Sequence, residues 1–66
     1  MKLIINGKET SYEGVPKLGA LFDHLKIKAS SVAVAVDAEV VEPQNVASFE
    51  LSAGDRIELF AFAGGG

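Results

Sequence analysis

A single stripe of helical periodicity runs through this chain. Leu18, Leu21, Phe22 and Leu25 stand at i, i+3, i+4 and i+7, with Lys17, Asp23, His24 and Lys26 on the other faces. The remaining apolar segments are short and β-branched or alternating, so they read as strands, and one amphipathic helix can bury its stripe only by lying across a sheet built from them. Pro16 has a fixed φ and no N–H to lose, which places the start of the helix near Pro16 or Lys17. No Ser, Thr, Asp or Asn stands at an N-cap position there, and Gly19 weakens the helix by roughly 1 kcal/mol relative to alanine.

The strands follow from local signals. Leu3, Ile4 and Ile5 lead into Asn6-Gly7, the dipeptide that best tolerates the positive φ angles of a tight hairpin, and Lys8 to Tyr12 return. Ser31 to Val36 alternates valine with alanine and reads as an interior strand with valines on one face and alanines on the other. Asp37-Ala38-Glu39 turns the chain into a short strand at Val40-Val41, which Glu42-Pro43 ends. Residues 44 to 53 carry Val46, Phe49 and Leu51 as their large apolar anchors and read as an irregular crossover. Ala53-Gly54-Asp55 opens the last strand, 56 to 62, in which Ile57 and Leu59 point inward and Arg56, Glu58, Phe60 and Phe62 outward.

The order hairpin, helix, strand, short strand, crossover, strand allows the last strand to lie parallel to the first in the sheet centre. The expected fold is therefore α+β, a ubiquitin-like β-grasp: a mixed four- to five-stranded sheet with one main helix on one face. Residues 1–62 form the domain, and residues 63–66 a flexible C-terminal tail.

Composition excludes several functions. The chain has 66 residues, no cysteine and a net charge of -3. It is one small domain held by its hydrophobic core alone, without a disulfide framework or a thiolate metal site. No cluster of Lys or Arg offers a surface for nucleic acid. Met1 to Ile5 turns polar at Asn6, too early for a signal peptide, and no apolar run approaches a membrane span, so a cytoplasmic protein is expected, monomeric when free. The sequence pairs no nucleophile with a base, places no phosphate-cradling glycine loop before a helix and groups no metal ligands; His24 stands alone on its helix as surface decoration. An enzyme is not expected.

Ala63-Gly64-Gly65-Gly66 follows the last strand with no apolar anchor after Phe62. Four extended residues reach roughly 14 Å, and glycines lack the Cβ that would block a narrow channel, so Gly64 and Gly65 suit threading of the Gly66 carboxylate into another protein's active site. Phe60 and Phe62 either cover sheet surface or form, with Ala33 and Ala35, a flat apolar patch for a partner, with Phe60 the candidate docking residue. Glu39, Glu42 and Glu50 are solvated charges, an acidic edge able to steer a basic partner.

At this point the chain resembles the ThiS-type sulfur carriers of thiamin biosynthesis, within the ThiS/MoaD group of ubiquitin-like proteins. The resemblance spans the whole chain. It rests on the opening strand with its Asn6-Gly7 turn, Leu21-Phe22-x-x-Leu25, Val32-Ala33-Val34-Ala35-Val36-Asp37, the Val40-Val41 pair, and Leu51-x-x-Gly54-Asp55-Arg56-Ile57-Glu58 before Gly65-Gly66. Asp37-Ala38 departs from the pattern, standing where an Asn-Gly type turn is common, and Gly64 extends the glycine pair to three. The resemblance implies a carrier with no bound cofactor. A ThiF-like E1 adenylyltransferase spends ATP to adenylate Gly66, a persulfide donor supplies sulfur, and the resulting thiocarboxylate serves a ThiG-like thiazole synthase. A MoaD-type carrier for molybdopterin synthesis, a protein modifier joined through Gly66 to lysines, and an interaction module with an idle tail are the alternatives.

Overall fold

The computed structural model of the chain describes residues 1–61. Five strands, β1 (Lys2–Ile5), β2 (Lys8–Ser11), β3 (Val32–Val36), β4 (Glu39–Val41) and β5 (Arg56–Ala61), form one sheet in the order β2-β1-β5-β3-β4. β1 and β5 run parallel at the centre, and the other neighbours are antiparallel. The helix α1 (Leu18–Leu25) covers one face, a 3₁₀ turn at Ala29–Ser31 leads into β3, and a short helix α2 (Pro43–Val46) lies in the crossover. This is the β-grasp that the alternation of elements implied.

The core lies between α1 and the sheet. Leu3, Leu18, Leu21 and Ile57 are fully buried, and Phe22, Val34, Val36, Val41, Val46 and Leu51 close around them. Each such side chain removed from water contributes roughly 1.5–3 kcal/mol. Leu25, the last member of the helical stripe, is only partly buried against this cluster, as are Leu59 and Phe49.

The helix start falls within the expected range, with a cap of a different kind, and the crossover differs from the expectation. The helix starts at Leu18 and has no side-chain cap; instead the crossover supplies the missing partner. Leu18 N donates to the Phe49 carbonyl at 2.8 Å, and Leu51 N donates to the Pro16 carbonyl at 2.9 Å, around a bridge between Lys17 and Glu50. An orphan donor at the N-terminus is thus satisfied by backbone distant in sequence. The crossover is also less irregular than residues 44 to 53 suggested, because Pro43 follows an extended Glu42 and starts one helical turn that buries Val46. Four residues are too few to show a helical period.

Gly19 gains its explanation here. A Cβ at this position would stand 2.8 Å from the Ala47 Cα, a backbone atom just past α2. The residue that weakens α1 intrinsically is what lets α2 and its following residue approach α1. Substituting Gly19→Ala should therefore destabilise the domain by about 1–3 kcal/mol, in spite of the better helix propensity, as overpacking against backbone does. Urea titration followed by circular dichroism measures this; a stabilised variant would show that the α1–α2 contact yields easily.

Candidate functional site

The open face of the sheet is built around β5. Parity along the strands puts Ile57 and Leu59 towards α1 and Arg56, Glu58 and Phe60 on the other side, and the register places Ala33 opposite Phe60 and Ala35 opposite both Glu58 and Val40. Phe60 is 56% exposed and Val40 is 72% exposed, each large and apolar with no element among the described residues covering it. Ala33 lies half-buried beside Phe60, so these residues share one apolar strip across β5, β3 and β4. Ala35 contributes little to it. It is buried, because as a small residue on an interior strand it is flanked by Glu58 and Val40 on the same face.

Val40 was the member that reading of the sequence passed over. The signal was present: a two-residue turn at Asp37-Ala38 pairs Val36 with Glu39 and Ala35 with Val40, which puts Val40 on the alanine face. The expected outward position of Phe60 is what the structure has. Phe62, Gly64, Gly65 and Gly66 lie outside the described residues, as does the boundary drawn at residue 62. The last described residue, Ala61, pairs with Val32 at the end of β5, immediately after Phe60.

Two tight turns hold β5 in place. Asn6 and Gly7 adopt φ of 50° and 80°, and Asp37 and Ala38 adopt 51° and 71°, so both hairpin turns are left-handed. Asn6 uses its backbone N–H to donate to the Ile57 carbonyl at 2.9 Å and its Oδ1 to accept from Leu59 N at 2.8 Å. The side-chain carbonyl thus adds a rung to the β1–β5 ladder after the backbone of β1 has turned away. On the opposite side, Asp37 N donates to the Arg56 carbonyl at 2.8 Å and Asp37 Oδ1 accepts from Arg56 N at 2.9 Å. Ala38 carries a Cβ in a left-handed conformation that glycine would adopt without strain.

The second turn brings two carboxylates together. Asp55 Oδ2 accepts from Ser52 N at 2.8 Å and sits beside Asp37. Burial raises the Asp55 carboxyl above its ordinary value of 3.8; the hydrogen bond from Ser52 works against this, and the hydrogen bond and negative charge of Asp37 add to it. Charges on the rest of the open face are dispersed, with Lys2 paired to Glu9 at 3.4 Å. Among the described residues there is no cluster of His, Cys, Asp and Glu that would hold a metal ion, and no helix is long and apolar enough to cross a membrane.

Comparison with known proteins places this geometry. The chain is 36% identical over all its 66 residues to a thiazole synthase of Paramagnetospirillum magneticum, and it spans 20% of the length of that relative. Among solved structures it is similar to the crystal structure of the thiamine biosynthesis protein ThiS of Geobacter metallireducens, at 32% identity and a TM-score of 0.84, with both chains covered completely. The solution structure of a thiamine biosynthesis protein from the same organism matches with a TM-score of 0.78 at 32% identity, covering all of this chain and 88% of that one.

The Asp37–Asp55 contact yields a pH-dependent prediction. Because the folded chain holds the Asp55 proton more tightly than the unfolded chain, the stability this group contributes is fully present below about pH 3.8 and is lost as pH rises through its raised folded value. Asp37→Asn keeps the Oδ1 acceptor for Arg56 and tolerates the left-handed turn while removing the neighbouring charge. The variant should be more stable than the parent by a few tenths of a kcal/mol at pH 7, with the advantage vanishing towards pH 3. Paired thermal melts across that range measure it, and an advantage independent of pH would assign the gain to turn conformation instead. With the fold, the open strip and these turns in place, the decisive match is that of the ThiS family, which aligns with residues 3–66, and the chain belongs to that family.

Proposed function

We propose that this protein is a sulfur carrier of thiamin biosynthesis, that its reacting group is the Gly66 carboxylate, and that it serves as a cosubstrate without catalysing a step itself. The observation that carries the reading is the ThiS-family match, which runs through the whole domain and on to Gly66. The likeness to a thiazole synthase over the full chain supports an enzyme of that class as the acceptor and favours thiazole formation over molybdopterin synthesis.

A carboxylate is a poor electrophile at neutral pH. An E1-like enzyme of the ThiF type activates it: a Gly66 carboxylate oxygen attacks the α-phosphate of ATP, and pyrophosphate leaves. The terminal sulfur of a persulfide then displaces AMP to give an acyl disulfide, and a thiol attacks the donor's sulfur in it, forming a new disulfide with the donor and releasing the thiocarboxylate. Sulfur in this group is ionised and more nucleophilic than the oxygen it replaced, as a thiolate is beside a hydroxyl. Transfer to the acceptor breaks the C–S bond, and an oxygen from the acceptor's substrate or from water restores the carboxylate. ATP belongs to the partner's chemistry, and the chain itself holds no cofactor.

The domain's part is recognition. Phe60, Val40 and Ala33 offer the apolar strip that an activating or acceptor enzyme covers, and the acidic Glu58 and Glu42 on the same face favour a partner with basic groups around its contact. Gly64 and Gly65 pass through a channel too narrow for side chains.

Incubating the chain with ATP, a ThiF-like enzyme and a persulfide source should replace one terminal oxygen by sulfur, as read by intact mass. Deleting Gly66 should abolish the exchange, and a chain that no E1-like enzyme adenylates would sink the carrier reading. Phe60→Asp should lower the rate of adenylation by about tenfold or more with the circular dichroism spectrum unchanged, since Phe60 is an exposed apolar anchor and not a core residue. An unaltered rate would place the docking surface elsewhere.

A further inference from the structure

On the helix side of the domain, away from the open strip, α1, the 3₁₀ turn at Ala29–Ser31 and α2 surround a groove of about 720 Å³. The buried Phe22 and Val46 line it together with Val15, Ala20, Ile27 and Ala47. Val15 is 59% exposed there, with no element above it. The close approach of Gly19 to Ala47 fixes the separation of the two walls, so the groove is a preformed feature of the fold.

Its charge is opposite to that of the protein. The chain carries -3 overall, yet Lys17 and Lys28 line this groove against Asp23 as its acidic member. The salt bridges among the described residues are those of Met1 with Glu13 and Lys2 with Glu9, so neither groove lysine is neutralised by one. Two lysines against one aspartate in the lining favour a ligand with negative charge beside its apolar anchor. The groove is an open trough, with Pro43, Ala47 and Ser30 exposed along it. A small-molecule site encloses most of its ligand, whereas a trough of this kind fits a chain segment laid along it.

We infer that this groove is a second docking surface, which takes a segment of a partner protein presenting an apolar side chain flanked by aspartate or glutamate. Because it lies on the face opposite Phe60 and Val40, its occupant does not compete with a protein engaged on the open strip. The carrier can therefore be held by one protein while another acts on its terminus. The inference rests on the groove alone and stands whether or not Gly66 receives sulfur.

The probe is the synthetic peptide acetyl-Asp-Glu-Leu-Phe-Asp-Glu-amide, with a control in which every acidic residue is lysine. Both are titrated into the isotopically labelled chain and followed by amide chemical shifts. The acidic peptide should give saturable shifts at Ala20, Ile27, Ala29 and Ala47 and leave Val40 and Phe60 unmoved. The double variant Lys17→Glu, Lys28→Glu should weaken its binding by about tenfold. Glutamate at position 17 precedes α1, where negative charge is favourable, so that half of the variant leaves the fold intact. Lys28→Gln and raised salt in the parent protein are independent readings of the same charge effect, and each should weaken binding in the same direction. Absence of saturable shifts at millimolar peptide, shifts confined to the open face, equal binding of the lysine control, or indifference to both salt and charge reversal would each overturn the inference.

Discussion

The structure depends on how β5 is held. It is the central strand, parallel to β1 on one side and antiparallel to β3 on the other, and at its base the chain on each side turns away through a left-handed pair of residues. Where backbone ladders stop, side chains continue them: Asn6 Oδ1 takes the Leu59 N–H and Asp37 Oδ1 takes the Arg56 N–H. Both bonds are at exposed positions, so these two short polar side chains replace water as the partner of each N–H, and each bond contributes about 0.5–1.5 kcal/mol to holding the strand. Both residue types also tolerate positive φ, which is why one residue can make the turn and complete the ladder at once.

With β5 fixed, the two faces of the sheet divide. Ile57 goes under α1 and is fully buried, while Phe60, three residues later, is exposed on the other side. A chain of 66 residues has little apolar surface to spare for its core, and yet Phe60, Val40 and Val15 are left in water. The first two lie on the sheet and Val15 lies in the groove beside α1, so among the described residues the large exposed apolar side chains fall in two places. That distribution is what distinguishes a contact surface from the ordinary apolar content of a protein exterior.

Much of this was legible in the order of residues. The stripe from Leu18 to Leu25, the Asn6-Gly7 turn and the valine–alanine alternation each report a local rule, and together they determine the sheet and which of its faces is covered. What escaped notice is non-local. The partner that caps α1 is the Phe49 carbonyl, and the reason for Gly19 is Ala47; neither relation has any signature within a window of sequence. The same holds for Asp37 and Asp55, which meet only because β3 and β5 are neighbours. Val40 is the intermediate case: its face follows from the turn length by counting, but only once the hairpin register is taken as fixed.

The placement of Phe60 relative to the terminus constrains how such a chain can be used. Residues 62–66 are five residues beyond Ala61, and fully extended they span at most about 17–18 Å. On the proposal that the Gly66 carboxylate is the reacting group, the reacting centre of the enzyme that acts on it lies within that distance of the end of β5, which puts Phe60, one residue before that end, at or near the contact. On the same proposal, docking and chemistry are coupled by chain length: a partner that covers the Phe60 strip in the right orientation also receives the terminus, and one that binds elsewhere on the domain must come close to the same point to do so. The groove beside α1 is under no such constraint. A surface on the far side of the sheet adds affinity or brings a third protein near without setting where the terminus goes, so selection at the strip and recruitment at the groove can change independently.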